Sequence, residues 1–71
     1  MKITDAASFG ASIRARRKEL GYTQAYISEF TGLSISFLSD LENGKKTIEL
    51  EKAMMVAMLL GLDLEMRVRG S

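Results

Sequence analysis

Four glycines, Gly21, Gly32, Gly44 and Gly61, each close a segment whose apolar residues recur at helical spacing, and no proline stands anywhere in the chain. Glycine is favoured just past a helix C-terminus because the left-handed backbone costs it nothing, while hydroxyl residues are favoured at the N-cap of the helix that follows. Thr23, Ser34 and Thr47 occupy those cap positions. The pattern predicts four helices, over residues 5–20, 24–31, 35–43 and 48–60. After Gly61 the period changes. Leu62, Leu64, Met66 and Val68 alternate with Asp63, Glu65, Arg67 and Arg69, which is the pattern of a half-buried strand over 62–69. Gly70 and Ser71 are set aside as a tail.

Within the first predicted helix Phe9, Ile13 and Leu20 fall at inward spacing, and Gly10 is a local weakness because glycine is a poor helix former. The second buries Ile27 and Phe30, and the third Leu38 and Leu41. In the fourth, Leu50, Ala53, Met54, Val56, Ala57 and Leu60 are expected inward. That leaves Met55, Met58 and Leu59 outward, where polar residues usually sit. Glu49 and Glu51 lie near its positive N-terminal end, where carboxylates are favoured.

Composition removes most other classes of function. With 71 residues the chain is one small module, and with no Cys it has no disulfide or thiolate metal site to staple it. It also lacks His, the commonest general base and metal ligand, so we expect no enzyme, no metal and no cofactor. The longest apolar run, residues 53–60, falls far short of the roughly 20 residues of a membrane span, and no signal sequence opens the chain; a soluble, cytoplasmic protein is expected. Ten Lys plus Arg against nine Asp plus Glu give a net charge of +1, too balanced to name a partner by itself.

Two short helices joined by Thr31-Gly32-Leu33-Ser34 form a helix-turn-helix pattern. The opening Thr23-Gln24, the aliphatic Ile27, the turn Gly32-Leu33-Ser34 and the ending Leu41-Glu42-Asn43-Gly44-Lys45 resemble the Cro/C1-type (XRE) helix-turn-helix family. The resemblance implies an all-α, compact lambda-repressor-like bundle of four to five helices, to which the alternation after Gly61 adds a C-terminal β-strand expected to serve in dimerisation. The expected division is a DNA-binding domain over 1–61, a dimerisation strand over 62–69 and a tail at 70–71.

The resemblance further implies that the third helix enters the major groove of double-stranded DNA while the N-terminus of the second sits on a phosphate, a site that helix N-termini suit through their free N–H groups. Base-reading places fall on Ile35, Ser36 and Asp40, and phosphate places on Thr23, Gln24, Asn43, Lys45 and Lys46. Ser34, Phe37 and Ser39 complete the expected DNA-binding set. None of the three base-reading residues is the Arg, Lys, Gln or Asn that grips purines with two bonds. Readout must therefore use serine hydroxyls, Asp40 accepting from cytosine, and Ile35 or Phe37 against thymine methyls. Arg17 and Glu42 fall on family positions that pair the first helix with the end of the third, and we expect a structural ion pair there. Arg14, Arg16 and Lys18 are either a solvated basic face or phosphate contacts, and Tyr22 and Tyr26 are packing residues.

The outward Met55, Met58 and Leu59, with Leu62, Leu64, Met66 and Val68, are expected to form a dimer interface, because contiguous apolar patches are rare on monomers. A lone strand must find another edge. An antiparallel two-fold pairing centred on Met66 sets Leu64 against Val68, Asp63 against Arg69 and Glu65 against Arg67; pairing with the chain's own Met1, Lys2 and Ile3 is the competing arrangement. Gly21-Tyr22-Thr23-Gln24, residues 37–47 and residues 60–68 also look like the short HipB-type, y4mF-like antitoxins. That resemblance implies a homodimer repressing its own operon at a palindromic operator, with a HipA-like kinase toxin as a further partner. The rival reading is a protein-interaction module, an antitoxin or adaptor for which DNA contact is secondary.

Overall fold

The computed structural model describes residues 2–70, and within them the chain forms four helices: α1 (Ala6–Glu19), α2 (Gln24–Thr31), α3 (Ile35–Glu42) and α4 (Leu50–Leu59). Met1 and Ser71, which the competing strand pairing and the tail invoke, lie outside the described residues. Each helix supplies the centre. Ile13 of α1, Ile27 of α2, Leu38 and Leu41 of α3, and Ala53, Val56 and Ala57 of α4 with Leu60 just after it are buried together. Phe9, Leu33, Phe37, Ile48 and Leu62 pack around that cluster. Burial of a Leu or Ile side chain stabilises by about 1.5–3 kcal/mol, and a core this small depends on each of them.

The helix starts follow local chemistry. Asp5 caps α1, its carboxylate accepting from the Ser8 N–H at 2.7 Å while the Ser8 hydroxyl accepts from the Asp5 N–H at 3.1 Å, a reciprocal box. Thr23 and Ser34 cap α2 and α3 through hydroxyls that accept from Tyr26 and Phe37 N–H, each at 3.0 Å. α4 departs from expectation: Thr47 is not its cap, and the helix begins at Leu50 after Glu49, which makes no side-chain cap bond. Ile48 accounts for the later start. It packs on the core, and its N–H donates to the Lys45 carbonyl in a turn, so the chain enters α4 only after that side chain is seated.

Gly10 is the closest meeting point of α1 and α3. A Cβ there would lie 2.8 Å from the Glu42 carbonyl oxygen and closer still to that of Leu41. The residue expected to weaken α1 is the one that lets the two helices touch. Gly44, at φ 78°, ends α3 in the left-handed conformation, and a Cβ on it would come within 2.7 Å of the Ala7 Cα. The beginning of α1 and the end of α3 are thereby held against each other.

Several inward assignments are corrected. Phe30 is 66% exposed because it follows Tyr26 by one turn along the outer side of α2, where the rings of Tyr22, Tyr26 and Phe30 succeed one another with centroids 4.9 and 6.3 Å apart. Leu20 caps the end of α1 and is exposed. Leu50 and Met54 are exposed as well, since the core takes only the narrow arc of Ala53, Val56, Ala57 and Leu60. The C-terminal β-strand is also corrected: residues 62–68 carry no secondary structure, and neither do Lys2 and Ile3, the described part of the competing partner segment. A strand exists only by bonding to a neighbouring edge, and the described residues offer none.

Candidate nucleic-acid interface

α2 and α3 are two turns each and are joined by three residues, with Gly32 in the left-handed conformation at the end of α2. Their relative pose rests on a buried polar junction that binds three helices at one point. The Arg17 guanidinium near the end of α1 grips Glu42, the last residue of α3, with two bonds: Nε to Oε2 at 2.6 Å and Nη2 to Oε1 at 3.0 Å. The Gln24 amide, on the first residue of α2, donates to the same Oε1 at 3.2 Å. Arg17 Nη1 donates to the Tyr22 carbonyl at 2.8 Å and so fastens the α1–α2 turn too.

The Glu42 side chain is only 4% exposed and that of Arg17 12%. A charge so enclosed is tolerable only when paired and fully hydrogen-bonded, and every buried side-chain polar atom among the described residues has a partner. The hydrogen bond to Glu42 raises the Arg17 pKa above its ordinary value, against the opposing effect of burial. The guanidinium stays charged at any working pH. Arg17 and Glu42 thus stand where the family pattern puts an ion pair. The bond from Gln24 to Glu42 was not expected: the amide assigned to phosphate is also a strut of the scaffold, and no spacing in the sequence signals an interaction across 18 positions.

At the mouth of α2 the N–H groups of Gln24 and Ala25 have no partner among the described residues, and Thr23 beside them is exposed. Along α3, Ser34, Ile35, Ser36 and Asn43 are exposed, Ser39 and Asp40 are half-buried, and Phe37 leans on the core. Lys45 and Lys46 follow on an exposed loop. The residues expected to touch DNA therefore lie on the α2 mouth, the length of α3 and the loop after it. Some of them are engaged with one another. Lys45 Nζ stands 3.4 Å from Asp40 Oδ2, and the Asn43 amide donates to the Ser39 hydroxyl at 3.3 Å.

The basic residues of α1 divide into two groups. Arg16 Nε donates to the Leu60 carbonyl at 2.9 Å, and its Nη1 pairs with Glu19, so this side chain caps the negative end of α4. Arg14 and Lys18 are exposed and form no ion pair among the described residues. On α4, Met55, Met58 and Leu59 are exposed as expected, and so are Leu50 and Met54. Leu64, Met66 and Val68 are exposed on the C-terminal segment. Leu62 is not free, since it packs against the chain's own core and its N–H closes the end of α4 on the Ala57 carbonyl.

A helix-turn-helix family profile matches residues 13–66, which takes in all of α2, α3 and α4. Over 69 residues, 97% of this chain and 91% of the relative, the sequence is 32% identical to the uncharacterized HTH-type transcriptional regulator y4mF of Sinorhizobium fredii. It is 35% identical over 60 residues to the ImmF control region 10 kDa protein of Bacillus phage phi105, covering 84% of this chain and 67% of that one. A third relative, an HTH-type transcriptional regulator of Haemophilus influenzae, is 35% identical over 63 residues, 89% of this chain and 62% of its own length. Among solved structures, the fold superposes on HipB in its complex with an O4 20mer with a TM-score of 0.86 at 19% identity, covering 97% of both chains. A substituted HipB with an O2 20mer gives 0.87 at 20% identity, over 97% of this chain and 96% of that one.

Proposed function

The chain belongs to the Cro/C1-type (XRE) helix-turn-helix family, and from that premise we propose that it is a sequence-specific DNA-binding transcriptional repressor. The observation that carries the reading is the Arg17–Glu42–Gln24 junction. It locks the open N-terminus of α2 and the exposed side of α3 into one rigid surface, with Lys45 and Lys46 at its far end. Phosphates dock on helix N-terminal N–H groups and lysines and so position the protein, while α3 presents Ile35, Ser36, Ser39 and Asp40 to base edges in the major groove. Asp40 can accept from cytosine only when Lys45 turns from it to the DNA backbone, an exchange of one anion for another that costs the lysine little.

The working unit in this reading is a homodimer on a palindromic operator, with the two α3 helices about 34 Å apart in successive major grooves. The exposed Met54, Met55, Met58 and Leu59 of α4, with Leu64, Met66 and Val68 beyond it, support that assembly, because flexible thioethers adapt to a partner surface and a monomer rarely leaves such a patch in water. Autoregulation in the manner of a HipB-like antitoxin is the corresponding biological role. The rival reading, an adaptor or antitoxin for which DNA is secondary, is not favoured. The relatives carry the names of regulators and of a control-region protein, and the structural neighbours are HipB in complex with O4 and O2 20mers. No residue is assigned to a HipA-like toxin. No helix among the described residues is long and apolar enough to cross a membrane.

The test is a gel-shift titration against duplex DNA from the region upstream of its own gene, at two salt concentrations and with scrambled competitor. Binding that is palindrome-dependent and falls steeply with salt supports the repressor. Equal affinity for scrambled DNA defeats sequence-specific recognition.

A further inference from the structure

Beyond the α2–α3 surface, one basic feature of the molecule remains without a function. α1 and the end of α3 frame a shallow open groove lined by Ala11, Arg14, Ala15, Lys18 and Glu42. We infer that this groove is a second seat for the DNA backbone, in which Arg14 and Lys18 hold a phosphate in addition to those held by the α2 mouth and the Lys45–Lys46 loop. The inference rests on the DNA-binding reading above and extends it to a face of α1.

The charge is arranged for an anion. Arg14 and Lys18 stand one helical turn apart, where like charges repel and cost the helix a few tenths of a kcal/mol. Arg16, Arg17, Lys45, Lys52 and Arg67 are each paired with a carboxylate, whereas Arg14 and Lys18 are not. The one carboxylate at the groove, Glu42, is already engaged by both bonds from Arg17 and by Gln24, so it does not neutralise them. Ala11 and Ala15 keep the groove shallow between the two long side chains and leave room for a phosphate to approach both. A guanidinium-bearing and an ammonium-bearing side chain lining one opening suit a phosphate diester, through charge-assisted bonds that carry no sequence information.

Location ties the groove to DNA. Glu42 is at once its rim and the C-terminal residue of α3, and the next exposed cations along the chain are Lys45 and Lys46. A backbone that reaches the end of α3 comes to Glu42, which is the rim of this groove, and the loop lysines follow it within four residues along the chain.

The experiment measures the slope of log affinity against log salt for the full chain on its upstream duplex and on a scrambled duplex of equal length. The proteins compared are wild type, Arg14→Gln/Lys18→Gln, Arg14→Lys and the control Lys52→Gln, which removes a lysine charge of α4 that pairs with Glu49. Each lost phosphate contact flattens the slope by about 0.9, so the double variant, which empties one such seat in each protomer of the proposed dimer, is expected to be shallower by about 1.8 on both duplexes. Lys52→Gln should leave the slope as it is, and Arg14→Lys should retain most of it. Both substituted side chains are exposed and Gln is a good helix former, so the fold persists, which circular dichroism verifies. A folded double variant that keeps the wild-type slope overturns the groove and leaves the repressor standing. Wild-type protein that shows no salt-dependent DNA binding overturns both.

Discussion

At the scale of single residues, Gly10 and Glu42 carry more of the architecture than their chemistry announces. Gly10→Ala should improve the helix propensity of α1 by about 1 kcal/mol, yet its Cβ would press on two backbone carbonyls of α3, which cannot rotate aside. The clash should win, for a net loss on the order of 2 kcal/mol in urea or thermal unfolding. Glu42→Ala leaves the buried Arg17 guanidinium without its partner and releases Gln24, and a broken buried pair costs about 3–5 kcal/mol. In a chain of this size that is enough to leave much of it unfolded at 37 °C, as measured by circular dichroism. A Glu42→Ala protein as stable as wild type would remove the junction from the account of how α3 is held.

At the scale of elements, each helix start has its own chemistry, and α1 adds a pH dependence. The Asp5 carboxyl is held below its ordinary value of 3.8, first by the Ser8 N–H, then by the Ser8 hydroxyl, against a smaller opposing effect of burial, with Lys46 adding the least attraction. A folded pKa below the unfolded one means that the stabilisation is fully present above pH 3.8 and is lost as pH falls through the lower folded value. Asp5→Asn should therefore melt at a lower temperature than wild type near neutral pH, and the gap should close as the solution is taken well below pH 4. A gap that stays constant with pH would show that the charge of Asp5 contributes nothing. The helix segments themselves were legible in the sequence. α2 matches its expected bounds, α1 and α3 differ only at the capping residues, and Thr23 and Ser34 act as caps. α4 starts later than expected: Thr47 is a good cap by type, but Ile48 packs on the core with its N–H on the Lys45 carbonyl, and the helix begins after Glu49.

At the scale of the whole molecule, the proposed dimer rests on the exposed apolar residues of α4 and of the segment after it. We expect sedimentation at micromolar concentration to give a dimer. Met58→Glu with Leu59→Glu should shift it to monomer and weaken binding to a palindrome at least tenfold, while leaving contact with a single half-site. A wild-type protein that sediments as monomer at tens of micromolar would dismiss this assembly.

What the sequence determined by itself was local or periodic: four helices from glycine stops and apolar spacing, the two hydroxyl caps, the helix-turn-helix and the residues that mark the family. These follow from propensity and from contacts between near neighbours along the chain. What only the tertiary structure decided depends on distant segments meeting. Gly10 is a crossing point because the carbonyls of Leu41 and Glu42 arrive there. Gln24 is a strut because Glu42 lies in reach, and Arg16 is a cap for α4 because the Leu60 carbonyl does. The alternation after Gly61 was real, but a strand is a relation between two edges, and one chain supplies only one of them.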